Sequence, residues 1–163
     1  MAHVILVVED GSIVANANSY VTEAEFIAYA DERLITLTAH PEVELIKAMD
    51  YLETIDFIGV KKTRDQPLQW PRDNVTIDGF SYQSTEIPVT LKNAQLAIAM
   101  SIAKGIDPLG VINRAVKREK VDVIEVEYMD SAASADMSRA ISASIRKLIV
   151  NSASGLNFRI NHG

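Results

Sequence analysis

The side chains that could act as acids, bases or nucleophiles are few in this sequence, and their spacing does not suit catalysis. The chain has three histidines and no cysteine. His3 and His162 lie near the chain ends, where order is poorest, which leaves His40 within the body of the sequence. A nucleophilic triad needs a base beside its nucleophile, and the GxSxG, HExxH, P-loop and GxGxxG patterns are missing. The sequence therefore predicts a protein that is not an enzyme and uses no cofactor or metal.

One pair of carboxylates has a catalytic interpretation beside a structural one. Glu125 and Glu127 alternate with Ile124, Val126 and Tyr128, so both carboxylates lie on one face of a predicted one-sided strand. Two carboxylates on one face are the arrangement that acid–base chemistry uses. Alternating charge is also the ordinary composition of a solvated strand face, and we favour this structural interpretation. A small enzyme acting through these glutamates is kept as a third alternative.

A first group of basic residues surrounds the single tryptophan of the chain, Trp70. Basic side chains interleaved with an aromatic ring commonly hold single-stranded nucleic acid. Trp70 also lies between Pro67 and Pro71, where a large ring most often pins a loop onto the core, so we interpret it as a structural anchor. The basic residues of this group are Lys61, Lys62, Arg64 and Arg72. The first three are candidates for contacts with DNA or with neighbouring subunits.

A second basic group consists of Lys117, Arg118 and Lys120 and precedes the two glutamates in a predicted hairpin. Opposite charges on paired strands attract each other, as do opposite charges across a subunit interface. We favour such ion pairing over contact with DNA, and both alternatives stay open for these three residues.

The size and charge of the chain limit the kinds of partner it can have. Its 163 residues, 48% of them hydrophobic, predict one globular domain with its own core. The formal net charge of −6 argues against a protein that coats nucleic acid by neutralising phosphates, so any DNA contact must be local. No stretch approaches about 18 uncharged apolar residues, and the run from Val4 to Val8 is too short for a signal peptide. We expect an intracellular protein or a component of a particle.

Most of the elements that must position these residues are predicted to be helices. Thr22 and Glu25 have the form of a capping box, which predicts a first helix from about Thr22 to Arg33. Prolines at the first helical position begin the second and third helices, and glycines end them. The alanines between Ala94 and Ala103 predict close approach by another helix. The second, third and fourth helices are predicted over Pro41 to Gly59, Pro88 to Gly105 and Ser138 to Val150.

The predicted β structure is small. The β-branched run from Val4 to Val8 predicts a short buried N-terminal strand. Between Gly59 and Ile87 the helical period disappears, which predicts a long ordered loop or a small β excursion. A hairpin turning near Asp122 is predicted over Val116 to Tyr128. The fold class is therefore mainly α (α+β), with about four helices and a small β-hairpin or β excursion.

The C-terminal residues form a separate unit in the sequence pattern. Ser152 to Gly155 predict a flexible joint. Beyond it Leu156, Phe158 and Ile160 alternate with polar residues, and a random frayed end would not show this alternation. An extended segment of this pattern can add a strand to an exposed sheet edge of a neighbour. We therefore divide the chain into a single domain over residues 1–151 and a joint with an extended tail over residues 152–163.

Five stretches form one ordered series from Asn18 to Tyr128 that resembles a known family. They are Asn18–Thr22, Ala48–Leu52, Gln66–Arg72, Ile87–Pro88 with Leu91–Lys92, and Val116–Tyr128. The strings QPLQWPR and VKREKV-x-x-IEVEY are the most specific among them. The series resembles phage structural proteins often labelled DnaT-like single-stranded DNA-binding protein. Similar proteins lie near capsid genes, and their pattern of helices with a β excursion resembles the head-to-tail adaptor fold.

This resemblance implies a function that no single residue carries. It implies a virion protein, a head-to-tail connector (adaptor, head-completion) subunit that forms a ring, a dodecamer in our expectation, between portal and tail. The implied partners are its own copies, the portal protein, the tail, tail-terminator or collar proteins, and the genomic DNA in the channel. Assembly in the host cytoplasm would place it in the virion neck. On this hypothesis Leu156, Phe158 and Ile160 dock on the portal.

The family label implies an alternative function, which is single-stranded DNA binding of the replication type. A net charge of −6 suits a channel wall along which DNA slides without sticking, and it suits a replication protein poorly. We therefore rank the connector function first.

Overall fold

The computed structural model describes residues 4–109 and 143–150, and the structural statements below concern these residues. This part of the chain has a mixed α+β architecture, so the predicted α+β class is confirmed. It contains three helices, a helical turn at residues 143–145 and two antiparallel strand pairs. In chain order the elements are α1 (Glu23–Asp31), α2 (Pro41–Leu52), β1 (Val60–Lys61), β2 (Arg72–Asp73), β3 (Val75–Ile77), β4 (Phe80–Tyr82) and α3 (Val89–Ala103).

The first helix begins where its capping box predicts. The Thr22 hydroxyl accepts a hydrogen bond from the Glu25 backbone N–H at 3.1 Å, and the Glu25 carboxylate accepts one from the Thr22 N–H at 2.6 Å. The helix ends at Asp31, two residues before the predicted end. Leu34, three residues beyond the end of the helix, is 96% exposed and has a φ of 53°. The cause is that the chain has left the helix before it reaches Leu34.

The second and third helices pack against each other at the centre of the fold. α2 begins at Pro41 as predicted but ends at Leu52, seven residues before Gly59. Its early end has a local cause, because the Thr54 hydroxyl donates to the Tyr51 carbonyl and the following backbone turns away. α3 follows Pro88 as predicted. Two small residues of α3 are completely buried, as the predicted close approach of another helix requires: Ala94 and Ala99.

The segment from Gly59 to Ile87 forms two antiparallel strand pairs, which confirms the predicted β excursion. In the first pair β1 lies beside β2, with Val60 opposite Asp73. In the second, β3 and β4 form a hairpin with Ile77 opposite Phe80. The two residues of its turn, Asp78 and Gly79, both have positive φ, which is the geometry of a tight type I′ connection.

The N-terminal segment differs from the predicted buried strand. It makes a single parallel bridge, between Val8 and Ser19, and Ile5 is 69% exposed. The Asn18 side chain takes the place of a neighbouring strand, since its amide accepts from the Val7 N–H and donates to the Ile5 carbonyl. Backbone hydrogen bonds between residues 7–9 and residues 18–19 complete the hold on this segment.

The described end of the chain also corrects a predicted element. The fourth helix was predicted to reach Val150, but the backbone of residues 148–150 pairs with that of residues 56–58. The Ile58 N–H donates to the Leu148 carbonyl at 2.8 Å, and the Val150 N–H donates to the Asp56 carbonyl at 3.1 Å. Leu148 is completely buried in this arrangement. The predicted hairpin over 116–128, the start of the fourth helix and the tail lie outside the described residues.

One cluster of buried side chains joins the three helices, the β3–β4 hairpin, and Ile145 and Leu148. Within the described ranges, no helix is both long and apolar enough to cross a bilayer. The largest completely buried side chains include Trp70, Tyr20, Phe26, Leu45, Leu52, Leu91, Ile98 and Leu148.

Candidate functional site

The candidate site is the loop between β1 and β2, residues 62–71, which carries Trp70 and lies beside the first basic group. Gln66 organises this loop from within. Its side-chain oxygen accepts from the Thr63 N–H at 2.9 Å, and its side-chain nitrogen donates to the carbonyls of Leu68 and Pro71, both at 2.9 Å. The Trp70–Pro71 peptide bond is cis. One buried amide therefore ties the beginning of the loop to its end.

Trp70 points into the protein and is 1% exposed. Its ring meets that of Phe57 edge to face, with 6.0 Å between the centroids and 74° between the planes. Its backbone N–H donates to the hydroxyl of Tyr20 at 3.1 Å, and the burial of that phenol raises its pKa. The indole N–H has no hydrogen-bond partner among the described residues. Because the indole ring is enclosed in the core, it offers no face on which a nucleic-acid base could stack.

Arg72 also turns inward, and it is 8% exposed. Each of the five N–H donors of its guanidinium group has an acceptor at 2.8 to 3.2 Å. Burial lowers its pKa, although the charges of nearby acidic groups oppose this shift. A phosphate would find no free donor on this side chain. The acceptors are the carbonyl oxygens of Phe57, Ile58, Gly59 and Gln69 and the side-chain oxygen of Gln69.

The other basic residues of the first group stay near the surface. Lys61 and Lys62 are half-buried, and Arg64 is exposed with its Nε 3.5 Å from a carboxylate oxygen of Asp65. The structure therefore splits the predicted aromatic and basic group. Trp70 and Arg72 hold the loop, and three cationic side chains remain for contact with a partner.

A carboxylate beneath the loop completes its support. Glu53 accepts a hydrogen bond from the Gln69 N–H at 3.0 Å. Its burial raises the pKa of the carboxyl, and the positive charges of Lys61 and Arg72 act in the opposite direction. Glu53 therefore links the end of α2 to the loop.

A buried polar network connects this loop to the helices, and the sequence analysis missed its role. The Gln95 side-chain oxygen accepts from the Tyr20 N–H at 2.9 Å. Its nitrogen donates to the Ser19 hydroxyl at 2.8 Å and to the Leu45 carbonyl at 3.2 Å. One signal in the sequence could have revealed it, namely a glutamine on the apolar face of a helix. Through Tyr20 the network reaches the Trp70 backbone.

Glu9 is a second structural residue that the sequence analysis did not identify. Its carboxylate is buried and accepts from three backbone N–H groups, those of Gly11, Ile13 and Val14, at 2.8 to 3.0 Å. It closes the N-terminal loop and is fully occupied in doing so.

The remaining predicted site residues are separate from this loop or lie outside the described part. His40 is exposed, with its Nδ1 3.4 Å from the carboxylate of Glu42 at the start of α2. Among residues 4–109 and 143–150, no group of three or more potential metal ligands comes together. Those outside the described residues are Lys117, Arg118, Lys120, Glu125, Glu127, Leu156, Phe158 and Ile160.

The surface of the described part has, among others, two open cavities. One of about 400 Å³ lies beside the loop, between Phe57, Arg72 and Val150. The other, of about 360 Å³, is mostly apolar and lies at the end of α3 near Ile102 and Leu109. Since the Arg72 donors are all used internally, none of the described residues that line the first cavity offers a cation that is free to bind an anion.

Comparison with known families identifies the chain. The model of the family described as "Putative DnaT-like ssDNA binding protein" matches residues 4–163, so the chain belongs to that family. This confirms the predicted family. Neither the curated proteins nor the solved structures contain a significant match to the chain.

The stretches that carried the resemblance have structural roles where they are described. Asn18 holds the N-terminal segment, and Ser19 and Tyr20 belong to the buried network. The stretch from Ala48 to Leu52 supplies core residues of α2, and Gln66 to Arg72 is the loop itself. These motifs therefore account for the fold, and they do not by themselves account for DNA binding.

Proposed function

We propose that this protein is a non-enzymatic assembly subunit, a head-to-tail connector that forms a ring in the neck of a tailed phage. The observation that carries the proposal is the open β structure on the surface. Each of the two described sheets has only two strands, and they leave Phe80 74% and Val60 54% exposed. Two-stranded sheets are marginal in water, and their free edges pair readily with other chains. Such edges with exposed apolar side chains suit a subunit that is completed by neighbours.

The assignment to the neck is supported by resemblance and by charge. The family resembles phage structural proteins with an adaptor-like domain of about four helices. A net charge of −6 suits a passage through which DNA must move without sticking. The proposed partners are other copies in a dodecameric ring, the portal, the tail, tail-terminator or collar proteins, and the DNA inside. The proposed role is mechanical, with the tail residues Leu156, Phe158 and Ile160 joining the ring to the portal.

Single-stranded DNA binding is the second candidate, and the family description favours it. The geometry of the loop weighs against a stacking mode, because Trp70 is enclosed and Arg72 has no free donor. In the described part of the chain, three cationic side chains remain near the surface around the loop, namely those of Lys61, Lys62 and Arg64. Binding through them would be electrostatic and strongly weakened by salt.

Completion of phage heads tests the first proposal. Portal-bearing heads that lack this protein should become competent for tail joining when the full chain is added, and imaging of the neck should show it as a ring next to the portal. A chain ending at Gly155 should fold but fail to complete heads. If heads without the protein join tails normally, or if the neck contains no such ring, the connector proposal is wrong.

Affinity for single-stranded DNA tests the alternative. We expect weak binding at moderate salt, measured by fluorescence anisotropy of a labelled oligonucleotide. The informative variant is Lys61→Ser with Lys62→Ser, and its matched control is Lys47→Ser with Lys104→Ser, which removes the same charge from exposed positions on other elements. Tight binding that the first pair abolishes and the second preserves would place DNA binding first.

A further inference from the structure

The β3–β4 hairpin ends in an incomplete apolar face. Val75 and Ile77 of β3 are buried, whereas Phe80 lies opposite Ile77 and is 74% exposed. Cross-strand partners point to the same side of a sheet, so Phe80 continues the core-facing row of the hairpin beyond the edge of the core. This row has no cover at its outer end in the described part of the chain.

The outer edge of β4 is also open to a further strand. A two-residue turn makes Ile77 and Phe80 a hydrogen-bonded pair, so the next pair, Thr76 and Ser81, is the non-hydrogen-bonded one. The N–H and carbonyl of Ser81 therefore point away from β3. The strand order places nothing beyond β4 in its sheet among the described residues. An added strand would find both an acceptor and a donor there.

The C-terminal part of the chain leaves the described fold beside this hairpin. The Lys147 ammonium lies 2.6 Å from a carboxylate oxygen of Asp78, a residue of the hairpin turn. Three residues later Val150 is held by its backbone bond to Asp56 and is exposed. The six residues from Val150 to Leu156 span at most about 20 Å when extended. The tail therefore begins within reach of β4.

We infer that residues 156–160 of the same chain add to the open edge of β4 as a third strand and cover Phe80. The two segments have matching alternation, since Phe80 and Tyr82 flank Ser81 just as Leu156, Phe158 and Ile160 flank polar residues. With that pairing, the apolar side chains of the tail extend the row that Phe80 begins, and the polar ones face solvent with Ser81.

The same chain is the favoured source of this strand because of the short connection. A flexible linker of this length gives an effective concentration in the millimolar range, about a thousandfold above a micromolar protein solution. A second copy would have to compete against that concentration.

The inference concerns the free subunit and does not depend on the neck assignment. If the tail also joins the ring to the portal, it must first leave β4, so that joining would uncover Phe80.

A spin label at Thr76 tests the inference in the full chain. The sequence has no cysteine, so Thr76→Cys accepts a single nitroxide. Thr76 is exposed on β3, and an added strand would lie two strand spacings away, about 10 Å. We expect the label to broaden the amide signals of residues 156–160 in its own chain. We also expect hydrogen exchange at the Ser81 amide to be slower by about tenfold or more than in a chain ending at Gly155.

Two variants and one mixture make the result decisive. Phe158→Asp should abolish the broadening, whereas the matched control Asn157→Asp, on the opposite face of the tail, should preserve it. Trp70 fluorescence reports that each variant is folded. The mixture contains isotopically enriched chains without a spin label and spin-labelled chains without isotopic enrichment. We expect no broadening of the amide signals in it. Broadening of the amide signals in the mixture would assign the strand to a second copy, and no broadening in either sample would mean that the tail does not lie on β4. Either result overturns the inference. A chain that shows the broadening but fails to complete heads would overturn the neck proposal alone.

Discussion

The loop around Trp70 and the β3–β4 hairpin lie close together in the sequence, but they satisfy their chemical groups in opposite ways. In the loop, the side chains of Gln66 and Arg72 donate hydrogen bonds to backbone carbonyls, and the Trp70 ring is enclosed in the core. The hairpin leaves one edge open and presents Phe80 to solvent. The comparison teaches that the most distinctive sequence motif of this chain serves its stability, while the less distinctive hairpin carries the surface available to a partner.

The largest expected effect on stability comes from Arg72. Arg72→Lys keeps the charge but has three donors in a different geometry, so at least two of five buried acceptors lose their partner. We expect the free energy of unfolding to fall by about 3 kcal/mol in urea denaturation followed by Trp70 fluorescence. Arg64→Lys is the control, and it should leave stability unchanged because Arg64 is exposed. Equal stability of the Arg72 variant and the wild type would contradict the structural role assigned to the guanidinium.

The next largest effect is expected at Gln95. Gln95→Met preserves the approximate size of the side chain but leaves the Tyr20 N–H without its acceptor and removes the hydrogen bonds to the Ser19 hydroxyl and the Leu45 carbonyl. Stability should fall by about 2 kcal/mol, the usual penalty for buried polar groups left unpaired. Asn93→Met in the same helix is the matched control, since Asn93 is exposed. Similar losses in the two variants would argue against the network.

A smaller effect concerns the dependence of stability on pH. Burial raises the pKa of Glu53 in the folded protein above its ordinary value of 4.5. The folded state therefore holds this proton more tightly than the unfolded state, and the associated stability is present at low pH and is lost as pH rises through the raised pKa. Glu53→Gln should remove this loss, so the variant should gain on the wild type between pH 4 and neutral pH, by less than about 1 kcal/mol because the carboxyl is only half-buried. If the difference in stability between Glu53→Gln and the wild type does not change with pH, the raised pKa of Glu53 does not contribute to stability.

The smallest effect on stability is expected at Phe80. This prediction tests the difference between the loop and the hairpin most directly. In a chain ending at Gly155, where the proposed tail strand cannot cover Phe80, Phe80→Ser should change the free energy of unfolding by less than about 0.5 kcal/mol, because most of the ring is in water. The same substitution in the full chain should reduce completion of portal-bearing heads. A loss of several kcal/mol would show that Phe80 belongs to the core, and full activity in head completion would remove the hairpin from the proposed interface.

Several elements could be predicted because their signals are local. The capping box of Thr22 and Glu25 and the prolines at positions 41 and 88 mark the starts of all three helices. The ends were less predictable. α2 stops at Leu52, where the Thr54 hydroxyl donates back to the Tyr51 carbonyl. Residues 148–150 leave the helical pattern because they pair with residues 56–58, and that pairing has no local signature.

The candidate site was only partly predictable for a related reason. Its composition identified Trp70 and the basic residues, but a sequence does not show which way an arginine points. Arg72 differs from Lys61 and Lys62 because three successive carbonyls, those of Phe57, Ile58 and Gly59, converge on its guanidinium. Gln95 lies within α3, and its partners Ser19 and Leu45 come from segments 50 or more residues away.

The sequence by itself therefore determined the family, the α+β class, the helix starts and the net acidic charge, because each of these depends on composition or on neighbouring residues. Only the tertiary structure decided which polar side chains serve the fold and which remain for partners. It assigned Arg72 and Trp70 to the interior and left Phe80 outside. The physical reason is that burial and the pairing of polar groups depend on which distant segments meet, and those meetings exist only in the folded chain.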